Sequence, residues 1–98
     1  MYYSVTVIAI RRAIEARAPG TKAEYSELQM GKPIPLSYLL WMLDQIQKMS
    51  TKSIDDAVRA SRWMGWIFAH LEMAGFWENT ETRSFVREDR KQGFDKPH

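Results

Sequence analysis

A chain of 98 residues with a formal net charge of +2, 45% hydrophobic and 12% aromatic, makes one globular domain (1–98) and excludes a polypeptide disordered throughout. With no cysteine there is no disulfide framework and no thiolate metal site, a composition that fits a cytoplasmic setting. An excess of two bases is too small to argue for nucleic-acid binding without a concentrated patch.

The first stretch, MYYSVTVIAIRRAIEARAPG, has an apolar run of only about six residues with no basic segment before it, so it reads as mature protein rather than a leader. Ser4 is expected to cap a helix running to about Arg17, with Val7, Ile10, Ile14 and Ala18 on one side and Arg12 and Glu15 elsewhere. Val5, Thr6, Val7 and Ile8 are β-branched and suit a strand equally well. Helical spacing that continues through Ala13 and Ile14 and stops at Pro19-Gly20 favours the helix. The connection PGTKAEYSELQMGKPIP is longer than most in a compact domain. A short helical turn is expected over 23–30, with Tyr25, Leu28 and Met30 reaching the core, before Gly31 and two prolines impose extended chain. A second helix is predicted from about Pro35 or Leu36 to Met49. Leu36, Leu39, Leu40, Leu43 and Ile46 share one face, Met42 and Met49 its margin, and Trp41, Asp44, Gln45 and Lys48 the other side. Trp41, a large aromatic on a polar side, is either covered by another part of the fold or exposed as a binding anchor.

The stretch SIDDAVRASRWMGWIFAHLEMAGFW, from Ser53 to Trp77, holds three of the four tryptophans and is expected to be the central helix. Ser53 is a good N-cap, and Asp55 and Asp56 lie in the first turn, where carboxylates meet free amides and the positive end of the helix dipole. Ala57, Met64, Phe68 and Leu71 form an apolar stripe, with Asp55, Arg59 and Arg62 opposite. Later turns are apolar on almost every face, the pattern of core or of an interface. Gly65 in mid-helix costs roughly 1 kcal/mol relative to Ala, which predicts a helix or ring crossing close to it. Gly75 is the expected stop. The most apolar window, Trp63 to Trp77, is broken by His70 and Glu72 and falls short of the roughly 20 residues that a membrane span takes, so no membrane crossing is expected.

Beyond it, Glu78, Asn79 and Thr80 form a turn and cap, and TRSFVREDRKQ is expected to be a fourth helix resting on the surface, ended by Gly93, with 93–98 a frayed tail. A hairpin with Arg83 to Val86 as one strand competes with it and would give the outline of a winged-helix DNA binder. On the helical reading Arg83, Arg87 and Arg90 fall at i, i+4 and i+7 beside Lys91, a basic stripe suited to carboxylates or phosphates. Glu81, Glu88 and Asp89 flank it, and Glu88 and Asp89 would repel a nucleic-acid backbone. A second basic group, Arg59 and Arg62, projects from the central helix, and Arg11, Arg12 and Arg17 lie on the first. His70 and Glu72, two apart on a helix, do not face each other as an acid–base pair, so His70 reads as a hydrogen-bonded boundary histidine. No paired metal-ligand spacing, phosphate loop or nucleophile motif is present. The chain is therefore expected to be no enzyme, with no cofactor and no metal.

In their order, YLLWMLDQIQKM, RWMGWIFAHLEMAGFW and TETRSFVRED resemble elements of short, mostly helical cytoplasmic proteins encoded by bacteriophages and prophages. The resemblance covers roughly Tyr38 to Gly93 and carries over no functional residue. It implies a protein that acts by binding, as an accessory factor or inhibitor. The expectation is an all-α domain, a small bundle of three to four helices around the Trp-rich one. Its function would be protein–protein interaction or regulation, binding an unidentified protein partner through Trp41, Asp44 and Lys48 or through Arg83, Arg87, Arg90 and Lys91. Trp63, Trp66 and Met73 are candidates for a homodimer interface. The alternative is a nucleic-acid-binding regulator that uses Arg59, Arg62, Arg83, Arg87 and Arg90.

Overall fold

The leucine spacing of residues 36–46 and the Ser-x-x-Asp signature at 53–56 both become helices. The computed structural model of the protein describes residues 3–50, 52–75, 84, 87–89 and 91. Its main elements are α1 (Ser4–Arg17), α2 (Leu36–Lys48) and α3 (Ile54–Met73), and Ser84, Arg87, Glu88, Asp89 and Lys91 are helical as well. No strand occurs among the described residues, so the fold is an all-α bundle; the β-branched run at 5–8 is helix, and the strand of the hairpin reading is helical at Ser84. Arg83, Phe85, Val86, Arg90, the turn at 78–80 and the tail at 93–98 lie outside the described residues.

Helix α2 packs against both α1 and α3. The core draws Val7, Ile10 and Ile14 from α1, Leu39, Leu40, Met42, Leu43 and Ile46 from α2, and Ala60, Met64, Ile67 and Leu71 from α3. Each set repeats at three or four residues, which keeps one stripe of each helix out of water at roughly 1.5–3 kcal/mol per large side chain. On α3 the buried stripe is rotated from the expected one: Ala60 and Ile67 are fully buried, while Ala57 and Phe68 sit at its margin. Gly65 falls on the outer face with Ser61, Arg62 and Ala69, and nothing lies within 4 Å of where a Cβ would stand. The expected close crossing at Gly65 therefore does not occur among the described residues.

Both ends of α3 follow the local rules. Ser53 Oγ accepts the Asp56 N–H at 3.2 Å, and the Asp56 carboxylate reaches back to the Ser50 N–H at 2.7 Å, so the first turn and the preceding loop are tied together. At the other end Ala74 is the C-cap and Gly75 adopts φ 74°, the left-handed conformation that glycine takes without a Cβ penalty.

The start of α1 departs from them. Tyr3, not Ser4, is the N-cap residue, in a left-handed conformation and with no side-chain cap of its own. Ser4 is instead the first helical residue; it is buried, and its Oγ has no hydrogen-bond partner among the described residues. The cap comes from the other end of the chain. Asp89 Oδ1 accepts the Val5 N–H at 2.9 Å, and Oδ2 accepts the Thr6 N–H at 3.0 Å and the Thr6 hydroxyl. Asp89 is 1% exposed. Three donors and the positive end of the α1 dipole offset the cost of desolvating a carboxylate there. The expected role of Asp89 as a surface charge beside a basic stripe, on a helix that only rests on the surface, is thus replaced by a buried one.

Two α1 arginines are structural rather than free. Arg11 pairs with Asp44 and donates to Gln47 Oε1 at 2.9 Å, joining α1 to α2. Arg17 donates to the Gly75 carbonyl at 2.7 Å, joining α1 to the end of α3. The long connection contains no helical turn: residues 21–29 are irregular, and Tyr25, Leu28 and Met30 are exposed instead of entering the core. An eight-residue segment bounded by glycine and proline is too short to nucleate a helix without packing. The Glu24 N–H is instead committed to the Ser37 carbonyl in the first turn of α2, at 3.0 Å.

Candidate functional site

Helices α2 and α3 each carry two aromatic residues three apart, Tyr38 and Trp41 on one, Trp63 and Trp66 on the other, and positions three apart share a helix face. These faces meet. Trp41 and Trp63 have ring centroids 6.2 Å apart, and Tyr38 meets Trp66 edge-on at the same separation. Tyr38 and Trp41 lie 5.5 Å apart along α2. Tyr25 reaches over from the loop, 5.0 Å from Trp41 and 6.0 Å from Tyr38. At the far end the Trp66 ring rests on His70, with centroids 3.9 Å apart, and His70 Nδ1 donates to the Trp66 carbonyl at 2.8 Å. That bond fixes the imidazole against α3 and makes His70 a boundary residue in a ring stack.

Tyr38, Trp63 and Trp66 of this row line a cleft of about 380 Å³ together with Leu28, Met42 and Arg62. Trp63 is shared with a second cleft of about 210 Å³, where it stands with Gln45, Lys48, Met49, Asp56 and Arg59. The first lining is therefore mostly apolar with one cation, Arg62, and the second carries Lys48 and Arg59. Lys48, Arg59 and Arg62 are all exposed, and none forms an ion pair among the described residues. Asp56, the one carboxylate in either lining among the described residues, is held by the Ser50 amide. Pro33, Ile34, Leu39, His70 and Met73 line a separate apolar cleft of about 240 Å³.

The residues singled out in the sequence separate into groups. Trp63 and Trp66, both half-buried, come together with Lys48, Arg59 and Arg62 in the linings of the two clefts, and Trp41, also half-buried, packs against Trp63. Trp41 is partly covered by Tyr25. Asp44 faces α1, where Arg11 takes its carboxylate. Met73 is 83% exposed and belongs to the other cleft. Arg87 and Lys91 are exposed on the helical segment that Asp89 anchors. Tyr38, Met42, Leu28 and Tyr25 were not singled out as binding residues. The matched aromatic spacing on α2 and α3 was the signal for Tyr38, while nothing local marks Tyr25 or Leu28 as part of a site.

An arrangement of rings with one thioether and one leucine takes up a bulky apolar side chain, and the neighbouring cations select the charge of what carries it. Among the described residues no group of three or more His, Asp or Glu is placed to hold a metal ion, and no helix is long and apolar enough to cross a membrane. No protein-family model, curated protein or solved structure matches the chain.

Proposed function

We propose that the chain works by binding another protein, with the cleft between α2 and α3 as the docking site. The observation that carries this reading is the convergence of Tyr38, Trp63 and Trp66 with Leu28 and Met42 around about 380 Å³ of open space. Tryptophan and tyrosine in a preformed cleft bring large contact area at low entropic cost, and binding energy concentrates on such residues. A photo-crosslinking amino acid at position 28, on the lip of the cleft, tests it in cells that make the protein. Adducts with a discrete protein, suppressed by excess purified wild type but not by the Trp63→Ala variant, are the expected result. Adducts from position 8 of α1 but none from position 28 would move the docking surface elsewhere.

Arg59 and Arg62, exposed and unpaired with any described carboxylate, also support a second reading as a nucleic-acid binder. Steeply salt-dependent binding to arbitrary duplex DNA, weakened by Arg59→Ala and Arg62→Ala, would establish it.

A further inference from the structure

Charge complementarity around Trp63 narrows the partner. From the cleft lined by Lys48, Arg59 and Trp63 and the neighbouring cleft lined by Arg62, Trp63 and Trp66, we infer that the docking site takes an acidic peptide segment. Such a segment seats one bulky apolar or aromatic side chain beside Trp63 and sets Asp or Glu residues against the three cations. This rests on the proposed docking cleft and specifies its occupant. Among the described residues, three exposed cations line the two clefts, and the one described carboxylate in either lining is already bonded to a main-chain amide. A neutral or basic segment would leave this rim uncompensated, whereas an acidic one gains in on-rate and register.

The ring geometry favours a peptide over a single-stranded nucleic acid. Binding a strand takes successive open ring faces along a cationic track. Here one face of Trp66 is taken by His70, and Trp41 has Tyr25 and Trp63 as ring neighbours. Leu28 and Met42 complete the cleft as aliphatic walls, and methionine adapts its shape to varied apolar side chains. A second copy docking through the same patch would bring two cation-rich rims together, since a two-fold interface is self-complementary.

Selection from a random-peptide display library on the immobilised full chain tests the inference, followed by fluorescence anisotropy of labelled winners at low and high salt. The expected result is enrichment of sequences with an aromatic or long aliphatic residue flanked by Asp and Glu. Affinity should fall roughly tenfold or more in the Arg59→Glu/Arg62→Glu variant and weaken with salt. These positions are exposed, so circular dichroism should show an intact fold; Leu28→Asp, also exposed, tests the cleft without touching the tryptophans. Winners that lose binding in Leu28→Asp but carry no acidic enrichment, or bind the charge-reversed protein equally, would overturn the acidic occupant and leave the docking cleft standing. No winner sensitive to Leu28→Asp would overturn both. Binding of labelled oligothymidylate that depends on Arg59 and Arg62, in the absence of peptide winners, would make nucleic acid the occupant. A concentration-dependent doubling of mass by light scattering, abolished by Leu28→Asp, would make it a second copy.

Discussion

Replacing Asp89 with Ala removes the cap from a helix that begins more than 80 positions earlier in the chain. Three hydrogen bonds go with it, from the Val5 amide, the Thr6 amide and the Thr6 hydroxyl. Val5 is half-buried, so water can reach its amide, and its share is that of an ordinary lost N-cap, about 1 kcal/mol. Thr6 is fully buried, and its stranded donors cost about 2 kcal/mol more. The total, about 3 kcal/mol, is a large part of the roughly 5–15 kcal/mol that holds a domain folded. At about 4–8 °C per kcal/mol for a chain of this size, Tm should fall by roughly 12–24 °C. Urea denaturation followed by tryptophan emission and far-ultraviolet circular dichroism reads the loss. Asp89→Asn, which keeps one acceptor but not the charge, should lose about half as much. A Thr6→Val/Asp89→Ala double-mutant cycle should show coupling of about 1 kcal/mol. A loss below about 0.5 kcal/mol for Asp89→Ala would refute the cap, because that is the level of an uninvolved surface substitution.

Ser4→Ala deletes a buried hydroxyl without a described partner, so chemical denaturation should show stability unchanged or raised by up to about 1 kcal/mol; a loss of about 1 kcal/mol or more would restore Ser4 as the cap. Gly65→Ala places a methyl group in open space on the outer face of α3 and should stabilise by about 0.5–1 kcal/mol in the same assay, whereas a loss would mean that the position is covered. Asp44→Asn breaks a half-exposed ion pair and should cost under about 1 kcal/mol, a difference that shrinks with added salt; a larger, salt-insensitive loss would show that the pair is shielded from solvent. Tyr25→Ala removes the ring that rests on Tyr38 and Trp41. Limited proteolysis should then cut faster within 21–30, and unchanged cleavage would show that the Glu24–Ser37 hydrogen bond alone holds the loop.

The helices that package their own signals were legible. Leucines at 36, 39, 40 and 43 with Ile46 define α2 within its own sequence, and Ser53, Asp56 and Gly75 mark the ends of α3 by contacts a few residues long. What escaped was non-local. Ser4 looks like a cap because capping rules compare neighbours, and no local rule shows a carboxylate arriving from position 89. Charge patterning set Asp89 beside a basic stripe on the surface, while it is buried as a cap, and it gave no sign that Arg11 and Arg17 tie α1 to other elements. For the cleft, the tryptophans stood out by size and number. A helical pattern gives the face of a residue but not which faces meet, so the pairing of Tyr38 with Trp66 and of Trp41 with Trp63 appears only once α2 and α3 are docked.

The loop that supplies Leu28 to the cleft and rests Tyr25 on Tyr38 and Trp41 contributes no fully buried residue, and the buried apolar residues among those described all come from the three helices. One part of the selectivity, the loop's share of the cleft, therefore resides outside the core. Changes at 21–30 can reshape what the cleft accepts while the Leu39–Ile67–Ile10 core is left intact, and a lengthened loop costs little more chain entropy than the present one. A lineage could exchange partners by drifting in these ten positions, much as binding loops vary on a constant scaffold, without crossing an unfolded intermediate.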